Sequence, residues 1–291
     1  MKRLLKGAAR VLGGLSALAL LAGLGAFGVS EAMIRWPVAG PQARAPGTVR
    51  LGSVERGRKI AIVEGCHDCH GAGFQGQLFH DEPAVVRAFS PNLTRAAAAQ
   101  SDAELDRAIR HGVAADGRQL WIMPSSAFAQ LSDQEVADLI AYLRTFRPAG
   151  RVQPALQVGP VGRAGVLLGK FRSEASLAAE HRPGVPDAGA EHAAGRAMAR
   201  ACVECHGSDL RGGAVEGAPD LMIAAAYEPE DFERLLRTGI AAGERKVGLM
   251  SQIAPVRFNA WSSAEIAALH AYLKARADRE IAAADSNLSK P

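Results

Sequence analysis

Two runs of five residues carry the chemistry of this chain: Cys66-His67-Asp68-Cys69-His70 and Cys202-Val203-Glu204-Cys205-His206, the pattern Cys-x-x-Cys-His written twice. On a short turn leading out of a helix, two cysteines at this spacing can form thioethers to both vinyl groups of one porphyrin. The histidine that follows then faces the iron as its proximal ligand, which is the signature of c-type haem attachment. Two other chemistries use paired cysteines. Zinc sites bring two such pairs together about 15 to 20 residues apart, far closer than Cys69 and Cys202, and a lone Cys-x-x-Cys can act as a dithiol. Neither explains a histidine directly after each pair. The chain has four cysteines, all in these runs, which leaves none for a disulfide or a free nucleophile. The expectation is two covalently bound haems, on Cys66 and Cys69 and on Cys202 and Cys205, with His70 and His206 on iron.

A count of methionines gives the sixth ligand. Of six in the chain, Met1 and Met33 lie outside the haem regions and Met198 precedes its own motif. Met123 remains for the first haem, and Met250 or Met222 for the second. The internal repeat sets Met250 opposite Met123, and Met222 is assigned to core filling. Met250 lacks the proline that follows Met123 and has a longer loop before its final helix; if it fails, His192 and His270 are the side chains to test. His67 should point away from iron, and His80 and His111 read as surface or propionate-side residues. His181 falls in a linker. A thioether opposite histidine favours ferrous iron and fills the position that a catalytic haem leaves open. Outer-sphere transfer of single electrons follows, with no catalytic residue assigned.

The elements that must position these groups are also written twice. Pro91-Asn92-Leu93 matches Pro219-Asp220-Leu221, and Ala108-Ile109-Arg110-His111-Gly112-Val113 matches Leu235-Leu236-Arg237-Thr238-Gly239-Ile240. Ala141-Tyr142-Leu143-Arg144 matches Ala271-Tyr272-Leu273-Lys274. Ser132 with Glu135, Ser262 with Glu265 and Ser101 with Glu104 have capping-box spacing. Leu131 with Val136 and Trp261 with Ile266 supply hydrophobic staples, and Pro229 suits a first helical turn. Tyr142 and Tyr272 should pack on the first helix of their own unit, with Gly57 and Gly195 as the contacts. No alternating strand pattern appears, so each unit reads as helix, haem motif, middle helix, methionine loop and final helix.

Outside the repeats, Lys2, Arg3, Lys6 and Arg10 precede an uncharged stretch from Val11 to Ser30, about 30 Å long as a helix and sufficient to cross a bilayer. An uncleaved anchor is preferred to a cleaved signal, because the apolar stretch is long and Ser30-Glu31-Ala32 is a poor cleavage site. The basic end stays cytoplasmic and the remainder is exported. Those four cations equal the formal net charge of +4, so the exported part is formally neutral and carries no nucleic-acid footprint. The expected division is an anchor over residues 1–30, a proline-bearing tether over 31–50, a first unit over 51–147, a Pro/Gly-rich linker over 148–188, a second unit over 189–277 and a polar tail over 278–291. The apolar run Val166-Leu167-Leu168-Gly169-Lys170-Phe171 within the linker should pack on a domain.

Cys-x-x-Cys-His after a helix, then a methionine loop and a helix ending in Ala-Tyr-Leu-Arg or Ala-Tyr-Leu-Lys, resembles the small all-helical class I cytochrome c fold, twice over. The stretch from Ser90 to Phe146 is similar to the cytochrome c subunits of membrane-bound alcohol and aldehyde dehydrogenases, which usually carry three haems where this chain has two motifs. The resemblance implies an all-α fold of two tandem domains behind a transmembrane helix, on the periplasmic side of a bacterial cytoplasmic membrane. It implies an exported or membrane-bound dehydrogenase as donor, and a quinone, soluble cytochrome or terminal oxidase as acceptor. The rival expectation is a dihaem enzyme, peroxidase-like or thiosulfate-oxidising, with a catalytic second haem; a structural zinc module is the third.

Overall fold

The capping boxes start helices where the spacing places them. In the computed structural model, which describes residues 2–41, 51–180, 184–213, 215 and 217–288, the Ser101, Ser132 and Ser262 hydroxyls each accept from the backbone N–H three residues on. The glutamate there reaches back to the serine amide at 2.7–2.8 Å. Through the first repeat the chain runs α1 (Lys2–Arg35), α2 (Val54–Val63), α3 (Cys66–His70), β1 (Leu78–Glu82), β2 (Val86–Phe89), α4 (Leu93–Ala99), α5 (Asp102–His111), α6 (Ser125–Phe128) and α7 (Asp133–Leu143). β3 (Gln157–Val158), α8 (Pro160–Leu167) and α9 (Glu174–Ala179) follow. The second repeat holds α10 (Ala193–Ala199), α11 (Val203–His206), α12 (Pro229–Thr238), β4 (Ile240–Ala241), β5 (Arg245–Lys246), α13 (Met250–Arg257) and α14 (Ser263–Leu288). Pro229 occupies the first turn of α12.

In each repeat the first helix crosses the last at a glycine. A Cβ on Gly57 would stand 1.9 Å from the Asp138 carbonyl oxygen and 2.8 Å from Tyr142 Cβ; one on Gly195 would stand 2.0 Å from the Ala268 oxygen and 2.7 Å from Tyr272 Cβ. The expected tyrosine–glycine contacts are therefore backbone-to-backbone crossings of α2 on α7 and of α10 on α14. Leu139, Ile140 and Leu143 of α7 fill one core with Leu105 and Ile109 of α5. Leu269 and Leu273 of α14 fill the other with Phe232 and Leu236 of α12.

Asp138 locks the first crossing from α7. Its buried carboxylate accepts from the Ser53 amide at 2.7 Å and from Arg56 Nε at 2.6 Å. Burial works against the charged carboxylate, but Arg56, the Ser53 N–H and Gln134 more than offset it, so the pKa lies below the ordinary value of 3.8. The resulting stability is present above that value and drains as pH falls through the lower folded one. Asp138→Ala is expected to cost about 1–2 kcal/mol, because it leaves the half-buried Ser53 amide without its acceptor. Urea unfolding at neutral pH checks this.

The chain is mostly helical, and short strands add to the expected all-α design. β1 pairs antiparallel with β2, Asp81 opposite Arg87 and Glu82 opposite Val86, and β2 pairs on its other edge with β3. β4 and β5 form a short hairpin. β1 is almost wholly exposed, so no apolar alternation betrays it, and β3 has only two residues. The linker supplying β3 is itself folded: Val166 of α8 is buried with Ile34 and Trp121, Phe171 packing against them, as its apolar run suggested. The stretch after residue 278 continues α14 to Leu288, in keeping with its run of alanines.

α1 contains one span, Arg10–Arg35, long and apolar enough to cross a membrane. Its C-terminal turns are built into the first repeat. Ser30 and Ile34 are buried, Trp121 Nε1 donates to the Ile34 carbonyl at 3.2 Å, and Arg163 of α8 reaches Ser30 Oγ at 3.0 Å and Glu31 Oε2 at 2.6 Å. The expected tether is likewise held at Val38, whose amide donates to the Gly117 carbonyl at 2.9 Å; its residues 42–50 lie outside the described residues, as does His181.

The two repeats meet reciprocally. Lys59 on α2 pairs with the α14 capping glutamate, Glu265, at 2.5 Å, and Arg200, just after α10, pairs with the α7 capping glutamate, Glu135, at 2.5 Å. Each half offers a cation beside its first helix to the cap of the other half's last helix, which gives the junction an approximate twofold character.

Candidate haem-attachment sites

The two cysteine runs fold alike. α3 and α11 are single turns, each ending in a glycine, Gly71 or Gly207, at φ of 76° and 79°. Four residues beyond each histidine the chain makes a second left-handed step at a bulky, fully buried residue, Phe74 (φ 54°) or Leu210 (φ 64°). That conformation costs roughly 1–2 kcal/mol. It aims the Phe74 carbonyl at the Leu93 amide, 2.8 Å away, and the Leu210 carbonyl at the Leu221 amide, 2.9 Å away. Each bond brings a proline under its histidine: His70 Nδ1 donates to the Pro91 carbonyl at 3.0 Å and His206 Nδ1 to the Pro219 carbonyl at 2.8 Å. With Nδ1 as the N–H, Nε2 keeps its lone pair for a metal, and the backbone bond fixes the ring's orientation. Burial lowers both imidazole pKa values, against the proline carbonyls, which keeps the rings neutral as ligation requires.

A cavity of about 590 Å³ opens beside the first turn, lined by Cys66, Cys69, His70 and Met123, with apolar walls from Leu93, Ile109, Phe128 and Leu139. Its size, its apolar walls and the convergence of two thiols, an imidazole and a thioether suit a porphyrin. At the second turn Cys202, Cys205 and His206 repeat the backbone geometry. Met250 opens α13 and packs against the second core, while Met222 lies in the short 3-10 turn from Leu221 to Ala226. The structure therefore unites Met123 with His70 in one cavity and leaves Met250 at the edge of its own core.

The alternatives to haem find less support. Among the described residues no group of three or more His, Cys, Asp or Glu could hold a metal ion. Burial, with the Glu64 carboxylate beside them, pushes the Cys66 and Cys202 thiols up to about 12, far from the depressed values of reactive dithiols. His67 turns from the cavity onto Phe74, ring centroids 4.3 Å apart. His270 Nε2 donates to the Ala224 carbonyl at 3.1 Å and its ring stacks on Phe232, so it is engaged in the core. His192 lies near Glu191 at 3.8 Å, and His80 near Glu82 at the same distance.

Two features escaped sequence reasoning. The first is the left-handed pair, although it is legible as His-Gly-x-x-(Phe/Leu)-x-Gly in both repeats, His70 to Gly76 and His206 to Gly212. The second is Arg257. Its Nε donates to Asp68 Oδ2 at 3.0 Å and its Nη1 to Glu204 Oε2 at 2.8 Å, one carboxylate from each cysteine run. Burial opposes its charge, but Glu204 and Asp68 more than restore it, so its pKa is raised. No local spacing signals such a bridge.

Three known proteins resemble this chain. It is 26% identical over 268 residues to the fructose dehydrogenase cytochrome subunit of Gluconobacter japonicus, covering 80% of this chain and 54% of that one. It is 31% identical over 121 residues to a nicotinate dehydrogenase subunit of Pseudomonas putida, 38% of this chain and 10% of that one. A diheme cytochrome c-type protein of Cereibacter sphaeroides is 26% identical over 134 residues, 42% of this chain and 45% of that one. The chain thus spans about half the length, or less, of these relatives. Residues 54–147 and 192–277 each match the cytochrome c family, and the chain, with its two Cys-x-x-Cys-His turns of one geometry, belongs to that family.

Proposed function

We propose that this chain is a membrane-anchored dihaem cytochrome c that takes single electrons from an exported dehydrogenase and passes them to a respiratory acceptor. The observation that carries it is the paired histidine geometry, His70 on Pro91 and His206 on Pro219, which presents two imidazole ligands in the same way on two covalent attachment turns. Haem iron held there supplies one-electron exchange between ferric and ferrous states with no bond to substrate. Cys66, Cys69, Cys202 and Cys205 would tether the groups, and His70, His206, Met123 and Met250 would supply side-chain ligands to their irons. A dehydrogenase donor is supported by the cytochrome-subunit relative. Retention of α1 is supported by Ser30, Glu31 and Ile34, which a cleaved signal would remove in whole or in part from the Trp121 and Arg163 contacts; a basic N-terminal flank supports an exported, periplasmic placement.

The test is a redox-titrated visible and near-infrared spectrum of the purified full chain, with Met123→Ala and Met250→Ala. Two ferric methionine-to-iron charge-transfer bands, one lost in each variant, are expected. A high-spin, ligand-binding second haem in the wild type would replace the carrier with a dihaem enzyme.

A further inference from the structure

Arg257 belongs to the second repeat, yet its guanidinium lies on the attachment turn of the first. A Cβ on Gly65, the residue before Cys66, would stand 2.2 Å from Arg257 Nη2, so the glycine makes room for it. The side chain is 11% exposed and lines the first haem cavity together with Glu204. Its two partners, Asp68 and Glu204, are the same position of the two cysteine runs. The repeat register explains why one arginine serves both. Arg257 precedes Trp261 by four residues, as Ala127 precedes Leu131, and Ala127 packs against both cores. Near an approximate twofold axis one long side chain fits, and the other repeat supplies a methyl group.

Resting on the two-haem reading above, we propose that Arg257 is the positioning residue that joins the two haem sites into one electron-exchange unit and holds between them a guanidinium that offsets part of the Asp68 and Glu204 charge. Its planar fork engages both turns at once, which a lysine ammonium cannot reproduce with the same geometry. Ferric haem carries one more positive charge than ferrous, so a cation beside both sites favours the reduced state and raises both potentials. Low exposure limits screening by salt.

The experiment is a potentiometric spectral titration of the full holo chain with Arg257→Gln and Arg257→Lys, with haem content per chain and melting temperature measured in parallel. Arg257→Gln is expected to shift both potentials downward, while Arg257→Lys stays near wild type in potential and melts at a lower temperature. Unchanged potentials in Arg257→Gln, with or without a lower melting temperature, would overturn the proposal, as would an equal fall in Arg257→Lys. If Arg257→Gln fails to take up both haems, the double variant Asp68→Asn, Glu204→Gln replaces it: removing two carboxylates beside the retained arginine should move both potentials upward, and no movement overturns the proposal. Fewer than two haems on the wild-type chain would sink the two-haem reading instead, independently of Arg257.

Discussion

Replacing Cys66 and Cys69 together by alanine is expected to lower the haem content from two per chain to one and to unfold the first repeat. The cavity beside these thiols measures about 590 Å³ and is walled largely by apolar side chains, so the first repeat depends on the group that fills it to complete its packing. Whole domains are stable by only about 5–15 kcal/mol, so loss of the group that completes this core is expected to remove most of the repeat's margin. Leu93, Ile109, Phe128 and Leu139 line the space. The haemochrome assay per chain and the helical circular dichroism signal read the two parts of the outcome. A haem ratio that stays at two would show that these thiols are not the attachment point.

Gly195→Val is the second change with a large expected effect. The first atom of any side chain at this position meets the Ala268 carbonyl oxygen at 2.0 Å and Tyr272 Cβ at 2.7 Å, and neither can yield while α14 remains helical. Tyr272 is fully buried, and its hydroxyl donates to the Pro186 carbonyl at 2.8 Å, so pushing α14 away also breaks that bond. Overpacking of this kind costs about 3 kcal/mol or more. The expected result is a second repeat that melts well below the first and loses its methionine-to-iron ligation on mild denaturation, the haem staying on its two thioethers. Thermal unfolding followed separately at the two haem spectra checks it, and a single transition unchanged from wild type would contradict it.

What could be read before the fold was known shares one property: it is local. Ser132 and Glu135 announce α7 because the cap is closed within four residues, and Cys66 to His70 announces a haem because thioether chemistry fixes the spacing. Pro91 and Pro219 were visible as a repeat, but their role as acceptors for His70 and His206 needed the backbone path through Phe74 and Leu210. The small sheet was hidden for a different reason. β1 is exposed, and β2 finds its second partner in Gln157 and Val158, from a segment whose glycines and prolines read as linker. Val166 is one apolar residue among several in its run, and only packing singles it out against Ile34 and Trp121. Arg257 is the extreme case, since its partners at Asp68 and Glu204 are distant in sequence and opposite in repeat.

The reciprocal ion pairs of Lys59 with Glu265 and Arg200 with Glu135 have the form of a contact between two separate, self-complementary molecules. As free units, two such small domains would depend on their concentration to stay together, because exposed and half-exposed ion pairs contribute little each. Covalent linkage makes their meeting intramolecular, at an effective concentration in the millimolar range for short linkers. The junction can then remain weak pair by pair, and one side of it is free to drift in sequence: Arg257 and Ala127 occupy corresponding places in the two repeats, a difference that an association of identical subunits could never acquire.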